Sequence, residues 1–243
     1  CKLFGRKVVI HQHNKGMAKD VDRPIYRWLL PMVYRHTKVI LLSWRLYADI
    51  EKVVKREQVM ICPNGIPDTN CSKTSVERHN DVMHILFLSN LIVSKGVLVL
   101  LDALNILKER GYRFVCDFVG GETKELNGRR FAHEIETRGL EGIAVYHGRK
   151  YGKDKEAFLN TADIFVFPTF YHNECFPLVL LEAMEHGLPC ISTTEGGIPG
   201  IVDDGKTGFL VPKHDVAVLA DKIQLLLNDS VLRCKMGKAG RKK

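Results

Sequence analysis

Two acidic residues, one before and one inside an apolar segment, are the first feature of this sequence that indicates chemistry. Glu174 precedes the segment, Glu182 lies within it, and the residues around Glu182 are almost all apolar. Pro177 suits the first turn of a helix and Gly187 suits its end, so the spacing predicts a helix over 178–186. A carboxylate on such a helix is unfavourable unless some group donates hydrogen bonds to it.

The first turn of this predicted helix offers a complementary site for an anion. The backbone N–H groups of Leu178 and Val179 have no partner within the helix, and the positive end of the helix dipole lies beside them. Phosphates bound there, with sugar hydroxyls donating to Glu174 and Glu182, fit a sugar nucleotide. The alternative is an ion pair between Glu182 and a neighbouring Lys or Arg, which needs no ligand and leaves a generic α/β protein.

The elements that must position these residues alternate between short β-branched runs and longer amphipathic stretches. Apolar runs such as 85–88 and 164–167 are continuous, which is typical of strands covered on both faces in a parallel sheet. The pattern predicts a doubly wound α/β fold. The predicted strands are 7–13, 38–43, 58–62, 82–89, 113–120, 143–147, 163–168, 188–193 and 208–211. The predicted helices are 22–36, 45–56, 96–110, 125–138, 153–161, 178–186 and 215–228. Pro31 should kink or split the first helix.

A polar segment without periodicity, residues 66–81, predicts a linker between two domains. Residues 1–80, which include this linker, hold only about three strands, so we expect a truncated first domain. Residues 81–243 hold enough strands and helices for a complete second domain. The chain begins with Cys1 rather than Met, which indicates a fragment.

The net charge of +8 is distributed unevenly, with the basic excess in the first 60 residues and in 233–243. A frayed tail is one interpretation of the second region. No recognition motif accompanies the basic residues, so no nucleic-acid partner is expected. An anionic membrane surface fits the charge, and so does an ordinary solvated surface.

Seven cysteines without C-x-x-C spacing predict free thiols in a reducing compartment rather than a zinc site or a disulfide framework. No apolar run approaches the roughly 18 residues that span a bilayer. We therefore expect a cytoplasmic protein, peripheral at most at the inner face of the membrane.

The E-x7-E spacing of Glu174 and Glu182, with F-P and E-A-M around it, resembles the signature of retaining glycosyltransferases of the GT-B fold, family GT4. Further blocks agree in order from about residue 7 to about residue 230. They are Cys62–Ile66, Phe87–Gly96, Phe118–Glu122, Ala162–Pro168, Gly196–Val202 and Asp204–Val211. The resemblance implies two Rossmann-like domains, the first binding the acceptor and the second binding the nucleotide-sugar donor.

The resemblance also implies roles for single residues. Lys95 matches a lysine that binds the donor diphosphate and stabilises the leaving group as negative charge builds on it. Glu182 matches the acid that holds the ribose, and Glu174 matches the acid beside the transferred sugar. Gly196 and Gly197 match a turn where backbone approaches the donor. The implied donor-binding residues are Asn90, Lys95, Leu178, Val179, Glu182, Gly196 and Gly197, and the implied catalytic residues are Glu174, His13 and Lys95.

Two positions depart from the family pattern. Asn90 stands where the family usually has Arg, which removes one charge from the phosphate site. Arg149 or Lys150 could replace that charge, and the sequence does not choose between them. Gly200 stands where the family often has Glu.

Histidines and aspartates near the N-terminus are the remaining candidates. His13 ends the first strand, where open α/β sheets bind ligands, and it resembles the family's strand-end histidine near the donor sugar and acceptor. His11 lies on the same face, and the sequence does not choose firmly. Asp20 and Asp22 form a D-x-D pair, but they precede a helix, where Asp is a common N-cap, so no metal site is expected.

The resemblance therefore implies transfer of a hexose from a UDP- or GDP-linked sugar to a hydroxyl acceptor, with retention and without metal or cofactor. The expected partners are a nucleotide sugar and a sugar or lipid-linked saccharide acceptor, and family usage favours surface polysaccharide or lipopolysaccharide biosynthesis. A GT-B nucleotide-sugar epimerase and a non-catalytic nucleotide-sugar-binding protein remain as alternatives. A dinucleotide oxidoreductase is not expected, because no G-x-G-x-x-G opens a helix after the first strand.

Overall fold

The structure, a computed structural model, describes residues 6–68 and 82–243. The chain divides into two compact units. The smaller unit comprises the residues up to Gly65 together with His172–Pro177 and Glu195–Ile201, and the larger unit comprises the rest. The linker predicted over 66–81 lies mostly outside the described residues, and the domain boundary at residue 80 stays a prediction.

The smaller unit is built on a parallel sheet of three strands in the order β1-β2-β3. These are β1 (Val9–Gln12), β2 (Lys38–Leu41) and β3 (Val59–Ile61). Two helices connect β1 to β2, namely α1 (Met17–Asp20) and α2 (Pro24–Tyr34). The core of the unit is aliphatic apart from Tyr34 and Cys175, and Val39, Leu41 and Ile50 are almost fully buried in it.

One helix prediction for this unit is wrong. The helix predicted over 45–56 is a 3₁₀ helix at Trp44–Asp49, followed by turns and a second 3₁₀ turn at Arg56–Gln58. Its Asp49 carboxylate accepts three backbone N–H groups from residues 16–18, so tertiary contacts override helix propensity there. Pro31 does not split the helix, since α2 runs through it on an exposed side where water can satisfy the freed carbonyl. A kink at Pro31 stays a prediction.

The larger unit has a parallel sheet of six strands in the order β6-β5-β4-β7-β8-β9. The strands are β4 (Met83–Leu88), β5 (Phe114–Val119), β6 (Ala144–Tyr146), β7 (Ile164–Phe167), β8 (Cys190–Thr193) and β9 (Gly208–Val211). The helices are α3 (Val97–Glu109), α4 (Gly128–Glu136), α5 (Gly152–Thr161), α6 (Leu178–Glu185), α7 (Val216–Asn228) and α8 (Ser230–Arg241). The strands β7 and β8 are buried throughout, as expected for strands covered on both faces. The doubly wound α/β fold that the continuous apolar runs predicted is thereby confirmed.

The strand order reverses between β4 and β7. From β4 the chain continues to β5 on one side, and from β7 it continues to β8 on the other side. In open α/β sheets, ligands bind at such a switch point, outside the carboxyl ends of the two strands. The loops after Leu88 and Phe167 are therefore the part of this unit where a site is expected.

The C-terminal segment is a helix, which rules out the interpretation of 233–243 as a frayed tail. Asp229 accepts a hydrogen bond from the Leu232 backbone N–H at 2.8 Å and so caps α8. Met236 and Gly237 are buried. A Cβ at Gly237 would lie 1.9 Å from the Gly187 carbonyl oxygen, which shows how closely α8 packs on the end of α6.

Among the described residues, none of the helices combines the length and the apolar character that crossing a bilayer requires.

We predict that Gly237→Ala destabilises the chain by about 1–3 kcal/mol in urea unfolding, because the added methyl group would overlap the Gly187 carbonyl. Helix propensity alone favours alanine by about 1 kcal/mol. Gly240→Ala is the matched control on the same helix, since its Cβ would meet only the flexible Met184 side chain, at 3.3 Å. Equal stability changes for the two variants would show that α8 is not docked in this way.

Candidate functional site

The loops after β4 and β5 are joined at the carboxyl edge of the larger unit. The Gly121 backbone N–H donates to Asn90 Oδ1 at 2.9 Å, and the Leu91 N–H donates to the Gly121 carbonyl at 2.8 Å. Gly120 must be glycine, because its φ is +158° and a Cβ would lie 1.8 Å from the Ser89 carbonyl oxygen. Asn90 therefore has a structural contact that needs no charge.

Lys95 follows the same strand and lies at the switch point. Its Nζ is 4.7 Å from the ring centroid of Tyr171 and 5.5 Å from that of Phe167, distances at which an ammonium group is attracted to an aromatic face. Gly96 has a left-handed φ of +84°, and a Cβ there would lie 2.2 Å from the Pro168 carbonyl oxygen. The glycine lets the loop after β4 pass directly against the end of β7, which places the Lys95 ammonium beside both loops.

Glu182 on α6 has a basic partner within the larger unit. Lys155 Nζ, from α5, lies 2.8 Å from Glu182 Oε1, and both side chains are about one-quarter exposed. This is the ion pair that the sequence left as an alternative. The position of Glu182 on an apolar helix therefore does not by itself require a ligand.

The start of α6 agrees with the prediction. The helix begins at Leu178, directly after Pro177, and buries Leu180, Ala183 and Met184. Leu178 is exposed, so the first turn of the helix is accessible to solvent. Binding of an anion by the N–H groups of Leu178 and Val179 stays a prediction.

In the smaller unit, the structure brings Glu174 together with the predicted glycine pair. Gly197 N–H donates to the Cys175 carbonyl at 2.7 Å, and a Cβ at Gly196, whose φ is +53°, would lie 1.9 Å from the Glu174 carbonyl oxygen. Glu174 is a buried residue. These two glycines hold the backbone of Glu174; their predicted approach to a donor is not tested.

Sequence analysis missed a buried carboxylate next to this turn. Glu195 is only 3% exposed, and its Oε1 lies 2.6 Å from Lys15 Nζ. The Glu195 carboxylate also accepts the Gly196 N–H at 3.2 Å. The signal available in the sequence was a single acid beside a glycine pair, and nothing in it indicated Lys15, which is distant along the chain.

His11 and His13 contact each other at the end of β1. His13 Nε2 lies 3.3 Å from His11 Nδ1, and both residues are exposed. The structure thus brings the two candidates together and does not choose between them. The catalytic role of His13 stays a prediction.

The D-x-D pair has separate structural roles. Asp22 pairs with Lys52 at 3.0 Å, and Asp20 lies 3.3 Å from Arg23. The N-cap residue of α2 is Arg23, without a side-chain cap, so the expectation of an aspartate N-cap is wrong. Satisfied ion pairs on the surface explain both aspartates.

Comparison with known proteins shows to which family the chain belongs, which the geometry alone does not. The sequence model of the family described as "Glycosyl transferases group 1" matches residues 72–243. The chain belongs to this family. Its order of motifs, from the loop after β4 to the loop before β9, is therefore a family pattern and not a coincidence of composition.

Curated members of the glycosyl transferases group 1 family agree with this assignment. The chain is 31% identical over 164 residues to the capsular polysaccharide biosynthesis glycosyltransferase CapM of Staphylococcus aureus, covering 68% of this chain and 42% of CapM. It is 26% identical over 224 residues to the amylovoran biosynthesis glycosyltransferase AmsK of Erwinia amylovora, covering 90% of this chain and 54% of AmsK. The chain spans about half the length of these relatives.

Solved structures show the same fold. The structure of Anabaena HepE in complex with UDP matches with a TM-score of 0.85 at 20% identity, covering 99% of this chain and 68% of HepE. At that identity the likeness concerns the fold alone, and the fold is of the GT-B type, as the sequence predicted.

Free thiols are found at all five cysteines that the structure describes. Burial, and after it the negative charge of the neighbouring Glu174 carboxylate, raise the pKa of the Cys175 thiol to about 11. Since the thiolate is the reactive form, Cys175 is not a nucleophile near neutral pH despite its place beside Glu174.

We predict that iodoacetamide at pH 8 labels the exposed Cys62 and Cys234 and leaves Cys116, Cys175 and Cys190 unlabelled until the chain is unfolded. Labelling of Cys175 should rise only as the pH approaches its raised pKa of about 11. Peptide mapping by mass spectrometry measures each site separately. Labelling of Cys175 as fast as Cys62 at pH 8 would contradict the buried position of the Glu174–Cys175 segment.

Proposed function

We propose that this chain is the donor-binding part of a glycosyltransferase that moves a hexose from a UDP- or GDP-linked sugar to a hydroxyl acceptor. The proposal includes retention of anomeric configuration, no requirement for metal, and a role in surface polysaccharide biosynthesis. Family membership supports the reaction class, and the names of CapM and AmsK support the pathway. The UDP in the HepE structure supports a uridine nucleotide as the first donor to test.

The observation that carries the proposal is the Lys95 ammonium at the switch point. The Lys95 ammonium group lies against Phe167 and Tyr171, outside the carboxyl ends of β4 and β7. Open α/β sheets bind ligands at this position. When a glycosyl group leaves a nucleoside diphosphate, negative charge builds on the diphosphate oxygens. A fixed ammonium group stabilises that charge more in the transition state than in the ground state.

Other residues complete the proposed donor site. The first turn of α6, at Leu178 and Val179, would donate N–H groups to the diphosphate. Glu182 would accept hydrogen bonds from the ribose hydroxyls while it keeps its contact with Lys155. For Glu174 and His13, which belong to the smaller unit, the resemblance implies roles beside the transferred hexose and the acceptor, and both roles stay predictions.

A second candidate, a non-catalytic nucleotide-sugar-binding protein, is favoured by two observations. Asn90 is neutral and uses its side-chain oxygen on Gly121, and Glu182 is already paired with Lys155. A protein of this kind would bind UDP or GDP and release no nucleotide from a nucleotide sugar with any acceptor. Turnover therefore separates the two candidates, whereas binding alone does not.

We predict that Lys95→Ala lowers kcat/KM of the whole protein by about 100-fold, because about 3 kcal/mol of transition-state stabilisation is lost with one such electrostatic donor. Nucleotide released from UDP-glucose or GDP-mannose in the presence of saccharide acceptor measures the rate. Lys206→Ala is the matched control. Lys206 is exposed in the loop before β9, at the amino ends of the strands, whereas Lys95 lies at their carboxyl ends. Equal rates for the two variants would contradict the role of Lys95.

Binding by this chain is tested separately by the rise in its thermal unfolding midpoint with UDP, GDP or their sugars. A rise with one of the nucleotides, abolished by Lys95→Ala and kept by Lys206→Ala, supports the donor site. If neither nucleotide stabilises the unaltered chain, the proposed function is wrong.

We further predict that Glu182→Ala weakens nucleotide binding by about tenfold or more, since a hydrogen bond to a charged group contributes about 1.5–3 kcal/mol. Lys155→Met should change nucleotide affinity by less than about threefold and stability by about 1 kcal/mol or less, because the pair is partly exposed. Isothermal titration of both variants with the bound nucleotide measures this. If both variants lose affinity equally, Glu182 acts through the ion pair and does not hold the ribose.

A further inference from the structure

The larger unit has a cavity of about 480 Å³ at the amino ends of β7 and β8. Asp163 and Pro189, the residues just before these two strands, line it together with residues of α8. Pockets that hold small molecules measure roughly 300–1,000 Å³, so a ligand of ordinary size fits here. Among the described residues that line the cavity, none belongs to the proposed donor site, which lies at the carboxyl ends of the strands.

Helix α8 presents one face to the cavity. Its lining residues recur every three or four positions, which is the spacing of residues on one face of an α-helix. They are Ser230, Arg233, Cys234, Gly237, Lys238 and Arg241. Three of these six side chains carry a positive charge, so the cavity suits an anion.

Few negative charges oppose these cations. Asp163 is the single acidic residue among the described residues that line the cavity, and its carboxylate accepts the His84 backbone N–H at 2.8 Å. Arg233 donates to the backbone carbonyls of Leu226 and Leu227 at the end of α7. Because carbonyl groups are neutral, these hydrogen bonds fix the guanidinium group and leave its charge uncompensated.

The other two cations lie one helical turn apart. Arg241 Nη2 is 3.6 Å from Glu185 Oε1, which is beyond hydrogen-bond distance, so this ion pair is loose. Lys238 is exposed and precedes Arg241 by three residues. Side chains three residues apart are neighbours on a helix surface, so both cations can contact the same anionic group.

The wall of the cavity is mainly apolar. Pro189 and the glycines Gly187 and Gly237 contribute carbon atoms, and the stems of the cationic side chains add more. Neither glycine has a side chain that would fill the space. An inorganic ion would leave this wall exposed to water, whereas a ligand with an apolar body would cover it.

We propose that this cavity binds a small organic anion. Its apolar body contacts Pro189 and the two glycines, and its carboxylate, sulfonate or phosphate group contacts Lys238 and Arg241. Hydrogen bonds between such a group and a cation are shorter and stronger than those between neutral groups. The inference goes beyond the proposed function and does not rest on it, because the cavity and the donor site share no residue.

Cys234 is a built-in reporter, because its exposed thiol lines the cavity, and the exposed Cys62 of the smaller unit is the internal control. The chain is alkylated with iodoacetamide in the presence of 8-anilinonaphthalene-1-sulfonate, which joins an aromatic body to one sulfonate. Peptide mapping by mass spectrometry measures the rate at each cysteine. We expect about fivefold slower alkylation of Cys234 at about four times the Kd of the probe, since only the unoccupied fraction reacts. The rate at Cys62 should stay unchanged.

Two further probes separate the parts of the ligand. N-phenyl-1-naphthylamine has the same aromatic body without the sulfonate, and the sulfate ion has the anionic charge without the body. Neither should protect Cys234 at the same concentration. Equal protection by the neutral amine would show that the cavity does not recognise an anion, and equal protection by sulfate would show an ordinary basic surface. Either result overturns the proposal.

Fluorescence titration with the sulfonate probe measures the part of each cation. Lys238→Gln and Arg241→Gln should each raise Kd by about threefold, which is the effect of one partly exposed charge. Lys235→Gln is the matched control, since Lys235 is exposed on the same helix but is not one of the described residues that line the cavity. Far-UV circular dichroism and the thermal midpoint confirm that each variant is folded. No binding to the unaltered chain, or equal weakening by all three variants, would also overturn the proposal.

Discussion

Within the larger unit, β4 and β7 are adjacent strands from which the chain departs in opposite directions, to β5 and to β8. The backbone of Gly96 passes so close to the Pro168 carbonyl that no side chain fits between them. The Phe170 backbone N–H donates to the Ser94 carbonyl at 2.8 Å, which joins the loop after β4 to the end of β7, and the ammonium group of Lys95 lies against two aromatic rings. The proposed chemistry depends on this arrangement, since a flexible lysine would lose much of its effect on a leaving diphosphate.

Carboxylates in this molecule are held by specific donors. The buried Glu195 carboxylate contacts the Lys15 ammonium group, and the buried Asp49 carboxylate accepts backbone N–H groups. The Glu182 carboxylate contacts Lys155. Burial without such donors would be strongly unfavourable. The consequence for function is that a buried acid in this fold does not identify a ligand. The assignment of the site relies on the position of Lys95 and on the family, not on the burial of Glu182.

The carboxyl edge of the six-stranded sheet combines three groups within one unit. Lys95 supplies an ammonium group, α6 begins there with Leu178 exposed, and Glu182 supplies a carboxylate. Such a set suits a small anion that also carries hydroxyl groups, and it is the basis of the proposed donor site.

The sequence by itself determined the nine strands that the described residues form, the parallel doubly wound class and most of the helices, because continuous apolar runs and helical periodicity are local properties of the chain. It also determined the family, through the order of short motifs. Only the tertiary structure decided that residues 45–56 form 3₁₀ turns, that the basic C-terminal segment is a docked helix, and that Glu182 pairs with Lys155. Each of these depends on a partner far along the chain, such as the backbone of residues 16–18, Gly187 or Lys155, and a local pattern cannot specify which distant group will meet a given side chain.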